Sequence, residues 1–211
     1  VSLMQIRLSN LKPTYMSEAE LSGSDIYLQK EVVFQKGQRY LLKANSGHGK
    51  SSVLNFIYGS NFNYTGEVSY SIEETSIFNL RKTEISYVFQ DFKLFPSLTL
   101  FENIQLKNKL THYKSIEQID ELIEKMQLSH RRDSLVATLS LGQRQRVAII
   151  RALCQPFNFL LLDEPFSHLD SSNIKIIVRI LNKELEERQA SVIITALDDL
   201  PFFEFDKTIN L

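Results

Sequence analysis

The chain has 211 residues, of which 43% are hydrophobic and 23% are charged, and its formal net charge is −1. This length suits one domain over residues 1–211 with a substantial core, and the near-neutral charge gives no electrostatic support for nucleic acid as a partner. Cys154 is the only cysteine, so no internal disulfide can form. No apolar run reaches the roughly 18 residues that cross a bilayer, and residues 1–10 lack the layout of a signal peptide. We therefore expect a soluble protein of a reducing compartment.

The first third of the chain is predicted to consist mainly of strands. Its apolar stretches are rich in β-branched, aromatic and leucine residues, and Gly37 marks a turn between the first two. The stretch SSVLNFIYG reads as a helix that ends at Gly59. The predicted elements are strands over 26–34, 38–44, 67–72 and 85–90 and a helix over 51–59.

A mostly helical segment is predicted next, as an insert over residues 92–140. Within it, SIEQIDELIEKMQL places apolar residues at a helical period, and Ser115 with Gln118 forms a plausible capping box. The residues of the expected apolar face are Ile116, Ile119, Ile123 and Met126.

The last third alternates strand and helix. FNFLLLD (157–163) and ASVIIT (190–195) are short apolar runs, as expected of parallel strands that are buried on both faces. A helix is predicted between them from apolar residues at helical spacing, which are Ile174, Ile177, Val178, Leu181 and Leu185. The chain is thus predicted to have an α/β core that a helical insert interrupts.

The stretch LLKANSGHGKSSVL (41–54) reads like a phosphate-binding loop. In such a loop backbone N–H groups wrap the phosphates at a helix N-terminus; Lys50 would reach the β- and γ-phosphates, and the Ser51 hydroxyl would coordinate Mg²⁺. Ala44 stands where the first glycine is usual, which is tolerable if its φ is negative. The alternative is a Gly-Ser turn before a helix that starts with lysine. The predicted phosphate-binding residues are Asn45, Ser46, Gly47, His48, Gly49, Lys50, Ser51 and Ser52.

Two adjacent carboxylates, Asp163 and Glu164, follow the buried run of FLLLDEP. The carboxyl ends of strands are where α/β sheets bind ligands. Asp163 would bind Mg²⁺ directly or through water, and Glu164 could polarise an attacking water. An ordinary acidic corner between strand and loop is the alternative, but a phosphate-binding loop in the same chain favours the functional interpretation.

The stretch LSLGQRQRVAIIRAL (139–153) resembles the LSGGQ signature and following helix of ATP-binding cassette (ABC) proteins. Gln90 in YVFQD matches the glutamine loop of that family, and Asp170 in SHLD matches the loop after the second carboxylate. The resemblance covers essentially the whole chain. It implies a P-loop NTPase core with a mixed, mainly parallel sheet, flanking helices, an N-terminal antiparallel β part and an inserted helical subdomain. It also implies that Gln90 acts with Lys50 and Glu164 in catalysis and binds Mg²⁺.

The resemblance further implies a dimer. Two such domains pack head to tail in this family, with ATP between the phosphate-binding loop of one chain and the signature of the other. Ser140, Gly142 and Gln143 would then contact nucleotide held by a second ABC ATPase chain, in a homo- or heterodimer. Leu141 replaces the first glycine of the signature pair, and its side chain could weaken closure.

Two other family features fall on particular residues. An aromatic residue upstream of the loop usually stacks on adenine; Tyr15 is the first candidate by its distance from the loop and Tyr27 the second, with a half-buried strand residue as the alternative for either. The last family motif is a histidine after a buried strand, and Ala196 occupies that position in VIITALDDL. Hydrolysis is therefore expected to be attenuated.

The function that the resemblance implies is the ATP-binding and ATP-hydrolysing subunit of a membrane transport complex. It implies a separate transmembrane permease subunit as partner and a location in the cytoplasm, on the inner face of the cell membrane. The residues that could line a groove for the permease, or else form the core of the insert, are Phe92, Phe95 and Phe101.

Two other functions stay open. A cassette of DNA repair or translation is disfavoured by the neutral charge and by the lack of long insertions. An ATP-dependent dimerisation switch with little hydrolysis is favoured by Ala196 and Leu141 and disfavoured by Glu164.

Overall fold

A computed structural model describes residues 4–43, 49–72 and 76–211 of the chain. Within these ranges the strands are β1 (Gln5–Pro13), β2 (Glu31–Gln35), β3 (Arg39–Lys43), β4 (Tyr64–Tyr70), β5 (Ile85–Val88), β6 (Phe159–Asp163), β7 (Ser191–Ala196) and β8 (Lys207–Asn210). The α-helices are α1 (Glu18–Leu21), α2 (Lys50–Tyr58), α3 (Ile77–Asn79), α4 (Leu100–Asn108), α5 (Ile116–Lys125), α6 (Leu141–Leu153) and α7 (Ser171–Arg188). None of the helices in the described ranges has the length and hydropathy of a membrane span.

The strands form two separate sheets. One has five parallel strands in the order β5-β6-β7-β3-β8, and the other has three antiparallel strands in the order β2-β1-β4. Every residue of β6 and β7 is buried, as the continuous apolar runs predict. The predicted combination of a parallel α/β core with an N-terminal antiparallel β part is confirmed.

The parallel sheet has a hydrophobic core on each face. Leu160 and Leu162 of β6 belong to a cluster with the buried residues of α4 to α7. Phe159 and Leu161 belong to a second cluster with residues of α2 and of the antiparallel sheet. Because successive side chains of a strand point to opposite faces, the parallel sheet lies between the helical part and the antiparallel part.

The segment between β5 and α6 is helical and contains α4 and α5. The predicted capping box starts α5: the Ser115 hydroxyl accepts a hydrogen bond from the Gln118 N–H, and the Gln118 carboxamide oxygen accepts one from the Ser115 N–H. Ile119, Ile123 and Met126 are buried as predicted, but Ile116 is exposed, so its assignment to the buried face is wrong. Helical side chains lean toward the N-terminus, and that of this first residue therefore extends past the end of the helix.

The strand prediction over 26–34 is wrong in its first half. Residues 25–28 form a turn, and β2 begins only at Glu31. The Ser24 hydroxyl accepts hydrogen bonds from the N–H groups of Ile26 and Tyr27, which fixes the turn locally.

The predicted elements did not include β1, α1, α3, α4 or β8. β1 is the central strand of the antiparallel sheet, and its buried Ile6 and Leu8 alternate with Arg7 and Ser9.

Candidate active site

The candidate site lies where β3, β6 and β7 end and α2 begins. These strands are parallel, so their carboxyl ends meet at one edge of the sheet, where Lys43 pairs with Ala196 and Asp163 pairs with Thr195. This edge therefore carries the predicted carboxylates beside the start of α2. The predicted loop residues Ala44, Asn45, Ser46, Gly47 and His48, which connect β3 to α2, lie outside the described residues.

Gly49 precedes α2 in a conformation that requires glycine. Its φ is +84°, and a Cβ at this position would lie 2.8 Å from the Tyr27 hydroxyl oxygen. That hydroxyl donates a hydrogen bond to the Gly49 carbonyl oxygen over 3.1 Å. Tyr27 is only 2% exposed, so its ring is not accessible for stacking on adenine and the second candidate for that role is wrong.

The three predicted catalytic side chains converge. Lys50 is the first residue of α2 and is 5% exposed; its Nζ lies 3.4 Å from Oε1 of Glu164. The other carboxylate oxygen of Glu164 accepts a hydrogen bond from Nε2 of Gln90 over 3.3 Å. The Glu164 carboxylate therefore contacts both Lys50, at the start of α2, and Gln90, which follows β5.

Asp163 is buried among hydroxyl groups. Its Oδ1 accepts a hydrogen bond from the Thr195 hydroxyl over 2.7 Å, its Oδ2 accepts one from the Tyr87 hydroxyl over 3.4 Å, and the Ser51 hydroxyl is a further donor. Burial raises the pKa of this carboxyl, and the hydrogen bonds from Ser51 and Thr195 offset part of the increase. A cation bound beside Asp163 would favour its charged form.

The backbone of Glu164 lies in the left-handed region with φ +47°. Its N–H donates to the Thr195 hydroxyl over 3.0 Å. Its carbonyl oxygen accepts from Nε2 of Gln145 over 3.2 Å and from the Ser167 hydroxyl over 3.1 Å. Three side chains thus hold a conformation that non-glycine residues seldom adopt.

Thr195, Tyr87 and Gln145 are site residues that were not predicted from the sequence. A threonine at the end of the buried run ASVIIT was a usable signal, because buried hydroxyl groups need partners. The partners of Tyr87 and Gln145 depend on contacts between segments far apart in sequence, which no local pattern carries.

Two cavities are lined by Ser51 and Gln90 together with one of the carboxylates. One of about 250 Å³ is lined by Tyr15, Met16, Gly49, Lys50, Ser51, Ser52, Gln90 and Glu164. The other, of about 680 Å³, includes Ser51, Gln90 and Asp163 in its lining. Tyr15 is 53% exposed, and its hydroxyl donates to the Ser52 hydroxyl oxygen over 2.6 Å. Its ring therefore stands at the rim of the first cavity, accessible from solvent.

The predicted signature residues lie at the start of α6. The Ser140 hydroxyl accepts a hydrogen bond from the Gln143 N–H over 3.2 Å, and the Gln143 carboxamide oxygen accepts one from the Ser140 N–H over 2.9 Å. This capping box was visible in the sequence as Ser-x-x-Gln. Ser140 and Leu141 are exposed, and neither these two nor Gly142 or Gln143 line the two cavities described above.

Ala196 ends β7 and is 7% exposed. It lines a mainly apolar cavity of about 320 Å³, which Glu164 and Thr195 border on one side. The loop that follows is attached to β3 by an ion pair between Lys43 and Asp199, with the charged atoms 2.9 Å apart. An alanine methyl offers no hydrogen-bond donor at this position.

The three phenylalanines of the helical segment have different environments. Phe92 is buried in the core, and Phe101 is half-buried beneath the Arg132 guanidinium, whose carbon lies 3.6 Å from the ring centroid. Phe95 is exposed. Phe92 therefore fits the core alternative, whereas Phe95 remains available for a contact with another protein.

The start of α2, the two carboxylates at the end of β6 and the glutamine after β5 define a P-loop nucleotide-binding domain. More narrowly, the chain belongs to the ABC transporter family, whose family model matches residues 29–167.

Known relatives agree with this assignment. The sulfate/thiosulfate import ATP-binding protein CysA 2 of Agrobacterium fabrum is 33% identical over 199 residues, which are 92% of this chain and 55% of that protein. The chain spans about half the length of the curated relatives it matches.

Solved structures extend the similarity to the fold. The bacterial ABC transporter cassette MJ0796, solved as a dimer, shares 30% sequence identity with this chain. The two structures match with a TM-score of 0.75 over 92% of this chain and 88% of the MJ0796 chain. A dimeric post-hydrolysis state of the same cassette, bound to ADP and Pi, has a TM-score of 0.74 at 29% identity with the same coverage of both chains.

Proposed function

We propose that the chain is the ATP-binding and ATP-hydrolysing subunit of a membrane ABC transport complex. The observation that carries the proposal is the convergence of Lys50, Gln90 and Glu164, with Asp163 and Ser51 hydrogen-bonded beside them. The name of the relative from Agrobacterium fabrum, an import ATP-binding protein, supports the transport class. The partner would be a transmembrane permease subunit, which would hold the chain at the inner face of the membrane, and the exposed Phe95 is the candidate contact.

The donor groups fit Mg²⁺. The Ser51 hydroxyl, the Gln90 carboxamide oxygen and the Asp163 carboxylate are hard oxygen ligands, and Mg²⁺ is usually bound through one or two carboxylates together with substrate phosphates. When bound, Mg²⁺ would neutralise charge on the phosphate oxygens.

The side chains of the site then have distinct roles in hydrolysis. Lys50, at the N-terminus of α2, would bind the β- and γ-phosphates, where the helix end also favours negative charge. Glu164 would accept a proton from the water that attacks the γ-phosphorus, while ADP departs with the bridging oxygen. Tyr15, at the rim of the smaller cavity, would stack on the adenine.

The start of α6 supplies the second half of the proposed site. Ser140, Gly142 and Gln143 lie at the N-terminus of a 13-residue helix, which is suited to bind an anion. Because these residues do not line the two cavities at Ser51 and Gln90, they would contact ATP held by a second ABC ATPase chain packed head to tail. The dimeric structures of the similar cassette MJ0796 support such an arrangement.

Ala196 would make hydrolysis slow, because it provides no donor for the γ-phosphate where the family has histidine. The same residue, together with the exposed Leu141 in the signature, favours a second candidate function. This is an ATP-dependent dimerisation switch that regulates the membrane partner and hydrolyses little ATP. Glu164 favours hydrolysis, because a switch has no use for a carboxylate that activates water.

Phosphate release at saturating Mg-ATP separates the two functions. We expect the wild-type chain to release phosphate faster than the Lys50→Ala variant, and to do so faster still with its permease subunit in proteoliposomes. ATP-dependent dimers with a wild-type rate no higher than that of Lys50→Ala would support the switch instead.

A further inference from the structure

Glu164 is held from two sides in its left-handed conformation. Its N–H bonds to Thr195 on β7, and its carbonyl oxygen accepts hydrogen bonds from Gln145 and Ser167. A non-glycine residue keeps such a backbone only where its surroundings impose it. The position of the carboxylate therefore depends chiefly on the buried partners, Thr195 and Gln145, whose hydrogen bonds water cannot replace.

The carbonyl oxygen of Glu164 accepts from the hydroxyl and the backbone N–H of Ser167 and from Gln145, and only Gln145 belongs to α6. It is 1% exposed, and its Nε2 lies 3.2 Å from the Glu164 carbonyl oxygen. Gln145 follows Ser140, the N-cap of α6, by five residues, which is roughly 8 Å along a helix at 1.5 Å per residue. A short, regular piece of helix thus connects Ser140 to the backbone of Glu164.

A second contact joins the same parts of the chain. A Cβ on Gly142 would lie 3.0 Å from the His168 carbonyl oxygen and 3.4 Å from Cδ2 of Leu169. The first turn of α6, residues 140–143, therefore packs closely against the segment that follows Glu164. We call residues 140–143 the signature turn.

We propose that Gln145 is a positioning residue through which the signature turn sets the position of Glu164. The inference rests on the proposed function, in which the signature turn contacts ATP held by a second chain while Glu164 acts on the ATP of its own chain. A displacement of the signature turn moves α6, and Gln145 transmits that movement to the Glu164 carbonyl. The two ATP sites of a dimer are thereby coupled within each chain.

The chain offers a matched pair of variants, because Gln145 and Ser167 donate to the same oxygen from different segments. Gln145→Met keeps the length of the side chain and removes the donor. Ser167→Ala removes only a hydroxyl donor from an exposed loop, where water can replace it and the backbone N–H of the same residue still donates to the same oxygen over 3.4 Å. We expect Gln145→Met to lower kcat for ATP about tenfold, the equivalent of one buried hydrogen bond. KM should change by less than about twofold, because the ground-state contacts of ATP come mainly from other residues. Ser167→Ala should keep both constants within about twofold of wild type.

A double-mutant cycle with Ser140→Ala tests the coupling itself. We expect Gln145→Met and Ser140→Ala to combine less than additively in kcat, while Ser167→Ala and Ser140→Ala combine additively. Urea unfolding of each variant shows whether it folds. If Gln145→Met folds poorly, Gln145→Asn replaces it: its amide is one methylene too short to reach the Glu164 carbonyl oxygen, so it should lower kcat to a similar extent.

Three outcomes would contradict this inference. An unchanged kcat in both Gln145 variants, or full additivity with Ser140→Ala, would overturn the role of Gln145 alone. A wild-type rate no higher than that of Lys50→Ala would overturn the proposed function and the inference with it.

Discussion

Nζ of Lys50 lies 3.4 Å from Oε1 of Glu164, so the cation proposed to bind phosphate is paired with the carboxylate proposed to activate water. Both side chains are largely shielded from solvent, which strengthens their interaction. Phosphate oxygens that approach Lys50 compete with this carboxylate. Binding of ATP is therefore expected to release Glu164 toward the attacking water.

Replacement of Lys50 by alanine should abolish detectable binding of Mg-ATP and leave the fold intact, because it removes the main side-chain charge on the phosphates. The measurement is titration calorimetry, with circular dichroism as the check on folding. Lys43→Ala is the matched control. The Nζ of Lys43 pairs with Asp199 at the same sheet edge, and Lys43 does not line the two cavities at Ser51 and Gln90. Equal ATP affinity in the Lys50 variant would contradict the assignment of the phosphate-binding loop.

Glu164→Gln should retain ATP binding and accumulate an ATP-bound dimer, because the amide cannot accept a proton from water. Light scattering after size exclusion, with and without Mg-ATP, gives the mass. The double variant Glu164→Gln/Lys50→Ala should stay monomeric, since it lacks the phosphate contact. If Glu164→Gln is monomeric at saturating ATP, the head-to-tail dimer does not form without the membrane partner.

Gly49→Ala should destabilise the protein, because alanine at φ +84° is strained and its Cβ would lie 2.8 Å from the Tyr27 hydroxyl oxygen. We expect a loss of about 1–3 kcal/mol in the free energy of unfolding from the backbone conformation alone. Urea denaturation of Gly49→Ala, Tyr27→Phe and the double variant measures it. In the double variant the clash with the hydroxyl is absent, so the two changes should cost less than their sum. Strict additivity would mean that the clash contributes nothing.

Much of the fold followed from local patterns. The buried runs that became β6 and β7 and the capping box of α5 are readable because each depends on neighbouring residues. The turn at 25–28 was misread, since its residues have strand-like side chains while the Ser24 hydroxyl bonds their backbone. Composition alone does not resolve that competition.

The site was predictable to a similar extent. Lys50, Gln90 and Glu164 stand in recognisable motifs, and the structure brings their side chains together. The contacts of Gln145 and Tyr87 arise only when α6 and β5 pack beside β6, so the sequence gives no local sign of them. Tyr27 was misassigned because burial, rather than distance from the loop, decides whether a ring is accessible.

The raised pKa of Asp163 predicts a dependence of stability on pH without Mg²⁺. Its folded pKa exceeds the unfolded value of about 3.9, so between the two values the folded state binds more protons than the unfolded state. Its contribution therefore destabilises the protein as pH rises through this window, and the loss is reversed as pH falls. The free energy of unfolding of wild type, relative to that of Asp163→Asn, should rise on acidification from neutral pH.

Asp170 provides the opposite control. Hydrogen bonds from Ser172 and then Asn173 lower its pKa to about 2. Its stabilising contribution is present above the unfolded value and is lost as pH falls toward 2. Wild type relative to Asp170→Asn should therefore lose stability on acidification. The same sign for both variants would contradict the conclusion that burial raises the pKa of Asp163.

Ala196→His should raise ATP turnover with little change in ATP affinity. Phosphoryl transfer depends on positioning and on stabilising charge at the phosphoryl oxygens, and loss of one well-placed donor elsewhere costs about 2.7–4 kcal/mol, or on the order of a hundredfold or more in rate. The cavity of about 320 Å³ beside Ala196 and Glu164 offers space for an imidazole. ATP affinity should change less, because most ground-state contacts would come from the phosphate-binding loop and Lys50.

The measurement for Ala196→His is steady-state phosphate release at saturating Mg-ATP, with the partner subunit present. Leu197→His is the positional control, because it places an imidazole at the next residue, which is exposed and follows the end of β7; it should leave the rate unchanged. Ala196→His/Glu164→Gln should show no gain, since the added donor acts only when water is activated. If Ala196→His releases phosphate no faster than wild type, another group already stabilises the γ-phosphate. Ala196 would then not attenuate hydrolysis.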